Sequence, residues 1–285
     1  MPSQVLKASE LALVRRAAGL LPCEHRAPGV GLGTELAQLR VYQPGDDVRQ
    51  LDPAASARTG VPHVRLQVPE RLMTAWIVVD VSPSMAFGTG TRLKSDVAAG
   101  TATVLARLAV RRGGRAGLVL CGGREELLLR PRGGRRASAA IEHAIGAGVV
   151  EDGAGDDDSL ARALVRINRL ARAPGLVAVV SDFRAARGWE RPLRALGQRH
   201  SLIAAEVCDP REQSLPDVGV LRLVDPESGA QVEADTRDAT LRERYEKDER
   251  DRRATVRDAL RAAGAEHVVL ETDSPWLQQL GRRLR

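Results

Sequence analysis

The 285 residues, 43% hydrophobic, suffice for one large buried core or two modest ones, and aromatics at 2% leave that core to Leu, Val, Ile and Ala. A net charge of +6, carried almost wholly by Arg, admits nucleic acid or an acidic protein surface as partner. No apolar run approaches the roughly 18 residues of a membrane span, and the start Met1-Pro2-Ser3-Gln4 opens no signal-peptide core, so the expected location is the cytoplasm.

Residues 8–21 have helical spacing with Ser9 as N-cap, and Pro22 stops them. A Gly/Pro-punctuated loop runs to Gly33, and Pro44-Gly45 signals a turn that Asp46-Asp47 can follow with a cap. Residues 63–68 alternate like an exposed strand. The stretch 1–70 is too polar and broken to hold a core of its own. It is expected to be an arm packed on a main domain of residues 71–285, with Arg40, Arg49 and Arg58 pairing with Asp46, Asp47 or Asp52 to clip it down.

From residue 73 strands and helices alternate. Strands are predicted at 74–80, 115–121, 125–130, 175–181, 201–207 and 266–271, and helices at 92–112, 137–147, 159–172, 189–199, 238–263 and 274–284. This alternation predicts a mostly parallel α/β sheet with helices on both faces. A hairpin of about 218–236, turning through Asp225-Pro226-Glu227-Ser228-Gly229, is inserted after the fifth strand. Cys23, Cys121 and Cys208 stand far apart without metal-ligand spacing and read as reduced, buried thiols.

The run Trp76-Ile-Val-Val-Asp80-Val-Ser82-Pro-Ser84-Met85 organises the chain. A β-branched strand stops at an acid, with hydroxyls at alternate positions after it. In open α/β sheets ligands bind outside the carboxyl ends of the strands. Asp-x-Ser-x-Ser there offers hard oxygen donors suited to Mg²⁺ or Mn²⁺. Asp182 closes a second strand, and Asp156-Asp157-Asp158-Ser159 opens a helix on the same predicted edge. Carboxylates gathered so closely repel one another unless a cation offsets them.

Asp80-x-Ser82-x-Ser84, the acidic loop before Leu160 and Ser181-Asp182 resemble the metal-ion-dependent adhesion site of von Willebrand factor A-type domains, which implies a Rossmann-like fold. Arg40-Val-Tyr-Gln-Pro-Gly-Asp-Asp-Val-Arg49-Gln-Leu-Asp52 with Ala57-Arg58, together with Asp225-Pro-Glu-Ser-Gly229, resembles the DUF58 family over nearly the whole chain. That resemblance implies an adaptor or chaperone-like partner of a MoxR-type AAA+ ATPase. Two departures stand out. Leu51-Asp52-Pro53 replaces the family's Ile-Asp-Trp, and Asp158 falls where the metal site's threonine is usual. Either Asp158 coordinates, or Ser159 does so with Asp158 behind a bound water.

The expected function is therefore recognition: Asp80, Ser82, Ser84, Asp158 (or Ser159) and Asp182 around a divalent ion that accepts a partner's carboxylate. A Mg²⁺-dependent hydrolase or phosphotransferase is the first competitor, but the five histidines lie outside the site loops, and neither a Gly-x-Ser-x-Gly elbow nor a phosphate-binding Gly-x-x-x-x-Gly-Lys loop is present. The second competitor is nucleic-acid binding through the Arg-rich turns at 111–115 and 130–136, for which scarce aromatics leave few stacking platforms. The charged helix 238–263 reads as an amphipathic helix with one solvated face.

Overall fold

The computed structural model describes residues 35–68, 73–111, 113–123, 126–146, 148, 156, 158–185 and 188–283. The expected helix at 8–21, Cys23, Asp157 and most of the acidic loop lie outside them. The described residues fall into two units, one before and one after residues 69–72.

In the first unit, β1 (Glu35–Val41) pairs antiparallel with β2 (His63–Val68). Asp47 caps a short 3₁₀ turn at Val48–Gln50, accepting from Arg49 N at 3.0 Å. Asp52 caps α1 (Pro53–Thr59) by accepting from Ala55 N at 3.0 Å. The Leu51-Asp52-Pro53 departure thus makes a helix start: Asp supplies the cap, and Pro at the first helical position has no N–H to leave unpaired.

Arg40 pairs with Asp46 at 2.6 Å, as expected. The partner of Asp52 is Arg65 on β2, at 2.8 Å, whereas Arg49 and Arg58 are exposed and make no ion pair among the described residues. Capping turns the Asp52 carboxylate toward the start of α1 and the neighbouring strand, while Arg58 lies more than a turn further along the helix.

The second unit is built on a six-stranded sheet in the order β5-β4-β3-β6-β7-β10. Its strands are β3 (Thr74–Asp80), β4 (Arg115–Cys121), β5 (Leu127–Arg132), β6 (Leu176–Ser181), β7 (Ser201–Cys208) and β10 (Ala265–Glu271), all parallel except β5, an antiparallel edge. Helices α2 (Lys94–Arg111), α3 (Arg135–Ile145) and α7 (Trp276–Arg283) cover one face, while α4 (Ser159–Leu170), α5 (Glu190–Gly197) and α6 (Ala239–Ala262) cover the other.

Alternation along β3 serves both cores: Ala75, Ile77 and Val79 face the first layer, Trp76 and Val78 the second. That two-sided burial is why β3 and β6 read as unbroken apolar runs. Gly100 on α2 lets the Trp276 ring lie against the helix, since a Cβ there would meet the ring at 2.7 Å.

The antiparallel hairpin β8 (Val220–Val224) and β9 (Gln231–Asp235) follows β7. The predicted strand at 125–130 lies two residues later, and the other boundaries agree within three. The expected Rossmann-like α/β architecture, a mostly parallel sheet with helices on both faces, is therefore present, its chain running outward from β3 through β4 to β5 and then returning to β6. The direction of winding reverses between β3 and β6, and such a switch point opens a crevice above the strand ends.

Candidate functional site

Asp80 is the last residue of β3, and Asp182 directly follows β6. The pairing of these strands sets the two acids on either side of the switch point. Ser181 donates its hydroxyl to Asp80 Oδ2 at 2.6 Å, and Ser82 N–H donates to Asp80 Oδ1 at 2.9 Å. A 3₁₀ turn at Pro83–Ala86 brings the hydroxyls of Ser82 and Ser84 within 3.1 Å of each other. Asp80, Ser82, Ser84, Ser159 and Asp182 are all buried.

Gly122, just after β4, makes room for this turn. Its φ of +111° suits glycine, and a Cβ there would stand 2.3 Å from Ser82 N and 2.8 Å from Asp80 Oδ1. Sequence reading missed it, although Gly122-Gly123 directly after a predicted strand was the available signal.

The first residue of α2 supplies an unexpected cation. Lys94 is fully buried, its Nζ 2.7 Å from both Asp182 Oδ2 and Glu212 Oε1. Arg184 reaches Glu249 at 2.9 Å and Glu212 at 3.4 Å, and Arg252 also pairs with Glu249, at 2.8 Å. Burial pushes the Asp182 carboxyl up, but the Lys94 ammonium and its hydrogen bond prevail and hold it below the usual carboxylate range. Burial likewise pushes Lys94 down, and the charges of Asp182 and Glu212 overcome it.

The three acids Asp182, Glu212 and Glu249 thus match the three bases Lys94, Arg184 and Arg252. Asp80 is left over, with no ion-pair partner among the described residues. Burial, followed by the neighbouring Asp182 charge, raises its pKa to about 6 against the hydrogen bonds from Ser181 and Ser82.

The donor set fits a small divalent cation. Each Asp80 oxygen accepts one recorded hydrogen bond and so keeps a lone pair. Two neutral hydroxyls lie beside it, and the uncompensated charge is one a cation would neutralise. Asp182 stands differently, with Oδ2 held by Lys94 and Oδ1 accepting from Arg184 N at 3.0 Å.

At the mouth of α4, Ser159 is buried while Asp158 is exposed and makes no capping bond. Asp156 turns aside to Arg162. Among the described residues no three His, Cys, Asp or Glu side chains gather into a metal-binding cluster, so hydroxyls must supply much of any coordination. None of the four described histidines hydrogen-bonds a site residue: His267, for example, pairs with Glu206 at 2.8 Å.

Another carboxylate reaches the site from the hairpin. Glu227 Oε1 accepts from Ser84 N–H at 3.1 Å. The Arg-rich turns present Arg111, Arg115, Arg130, Arg132, Arg135 and Arg136, all exposed and none in an ion pair among the described residues. Cys121 and Cys208 are free and buried, and burial lifts the Cys208 thiol to about 12.

A family model described as "Protein of unknown function DUF58" matches residues 38–255. The chain belongs to the DUF58 family. This DUF58 chain is 37% identical over 277 residues to the uncharacterized protein Rv1480 of Mycobacterium tuberculosis, covering 97% of this chain and 87% of the relative. Mb1516 of Mycobacterium bovis matches to the same extent, 37% over 277 residues. Among solved structures, BatB from Bacteroides thetaiotaomicron aligns with 74% of this chain and 97% of its own at 12% identity, with a TM-score of 0.48. A von Willebrand factor type A protein from Catenulispora acidiphila aligns with 48% of this chain and 33% of its own at 18% identity, with a TM-score of 0.34. Among the described residues no helix is long and apolar enough to cross a membrane.

Proposed function

We propose that this DUF58 chain is a cytoplasmic protein-interaction module that recognises an acidic side chain of a partner through a divalent ion, Mg²⁺ or Mn²⁺, and does no chemistry on it. Asp80, Ser82 and Ser84 would hold the ion, with the buried Ser159 preferred to the exposed Asp158 as the helix-borne ligand. Asp182, fixed by Lys94, would act through a bound water. The ion would supply a Lewis-acidic position open to a carboxylate. The observation that carries this reading is the charge balance: Asp182, Glu212 and Glu249 around the switch point each have a basic partner, whereas the buried Asp80 has none among the described residues. A MoxR-type AAA+ ATPase is the partner class to which the DUF58 resemblance points.

Calorimetric titration of Mg²⁺ and Mn²⁺ into metal-stripped protein tests the proposal, alongside the Asp80→Ala variant. Saturable binding by the wild type that the variant loses supports it, and a pull-down of a MoxR-type ATPase with and without the ion follows. No binding to the wild type would overturn the metal-dependent reading.

A further inference from the structure

The β8–β9 hairpin inverts the usual pattern of a surface ribbon. Its strands are largely exposed, with Val220 and Val232 each more than half open to solvent, yet Pro226 and Glu227 at its tip are half-buried. The base is pinned by Thr236, whose hydroxyl donates to Gly219 O at 2.7 Å and accepts from Val218 N at 3.2 Å. The tip is shaped by Asp225, whose carboxylate accepts from Glu227 N at 3.1 Å and from the Ser228 hydroxyl. The Asp225 backbone carbonyl accepts from Gly229 N at 2.7 Å. These bonds hold the turn so that Glu227 projects onto the start of the 3₁₀ turn carrying Ser84.

We infer that Glu227 is a built-in stand-in for the partner's acidic side chain, occupying the carboxylate-accepting position at Ser84 N–H until a partner carboxylate displaces it. This rests on the proposed reading that the site receives a carboxylate at the ion, and it adds Ser84 N–H as a second contact for that carboxylate and names what guards it. Ser84 N–H has its recorded hydrogen bond with Glu227, 143 residues away, and none with its own turn. A two-stranded ribbon is marginal by itself, so its tip can lift without disturbing the sheet. A tethered ligand competes at high effective concentration. An isolated acidic residue is therefore excluded, and a partner must bring further contacts to win the position.

The test uses the full chain, as wild type, Glu227→Ala and Glu227→Gln, with and without Mn²⁺. Amide hydrogen exchange reads the segment containing Ser84. Titration with acetyl-Gly-Glu-Gly-amide, and with its Gln counterpart as control, reads the vacated position. Glu227→Ala is expected to speed exchange at Ser84 at least tenfold and to bind the acidic peptide at least tenfold more tightly than wild type. Glu227→Gln, which keeps the side chain's length but not its charge, should fall between, and the Gln peptide should bind none of the three.

Unchanged exchange at Ser84, or equal peptide affinity in wild type and Glu227→Ala, overturns the stand-in role and leaves the metal site standing if Mn²⁺ still binds. Faster exchange without peptide binding to any form, even with Mn²⁺, overturns the carboxylate-receptor reading and the stand-in role with it.

Discussion

Replacing Asp80 by Asn should make the protein more stable at neutral pH when divalent ions are removed. Burial and the Asp182 charge raise the Asp80 pKa from 3.8 to about 6 in the native state. Between those two pH values the unfolded chain has lost the proton that the native state keeps. Wild-type stability therefore falls as pH rises through that window, and the penalty is complete above about 6. A shift of about two units corresponds to ~3 kcal/mol. Asn removes that penalty but leaves either Ser82 N–H or the Ser181 hydroxyl without its acceptor, at a cost of ~1 kcal/mol. The net gain at pH 7 is ~2 kcal/mol, or roughly 4–8 °C in Tm for a unit of this size. It should vanish by about pH 4, where wild-type Asp80 is itself largely protonated. Urea unfolding in chelator from pH 4 to 7 measures it. A variant less stable than wild type at pH 7, or a difference that does not change with pH, would refute the account of Asp80 as an uncompensated buried charge.

Other parts of the same network give further expectations. Lys94→Met should cost about 3–5 kcal/mol at pH 7 by leaving the buried Asp182 without its cation and the half-buried Glu212 with Arg184 alone. The deficit should shrink as pH falls and Asp182 takes up a proton, which the same urea series would show. Gly122→Ala should cost at least about 1–3 kcal/mol, because φ is strained for Ala and the new Cβ meets backbone rather than a flexible side chain. It should also abolish Mn²⁺ binding while far-ultraviolet circular dichroism keeps the sheet signal. Asp52→Ala should lose the α1 cap and the Arg65 pair together, a local loss of about 1–2 kcal/mol, seen as faster hydrogen exchange across Pro53–Thr59. Filter binding of single- and double-stranded DNA with salt titration should give no salt-sensitive retention; binding that weakens steeply with salt would instead assign the exposed Arg turns to phosphate contact.

Much of the fold was legible because it is written in short-range pattern. Apolar runs at 74–80 and 175–181 announced strands covered on both faces, and the helices showed themselves by their period. The edge strand β5 slipped by two residues because an antiparallel edge with polar residues has a weaker pattern than a doubly covered strand. The Asp-x-Ser-x-Ser turn was legible for the same reason: its bonds run between residues two apart.

What the sequence by itself determined was therefore the elements, their alternation and the placing of Asp80 and Asp182 at strand ends. Tertiary structure decided which charges met. Lys94 reaches Asp182 across 88 residues, and Glu227 reaches Ser84 across 143. Arg65 rather than Arg49 or Arg58 takes Asp52, and Ser159 rather than Asp158 is turned to the covered side. Periodicity and capping depend on neighbours along the chain, so a sequence states them directly. An ion-pair partner depends on strand order and on the direction in which a side chain leaves its element, and both are fixed only when the sheet has closed.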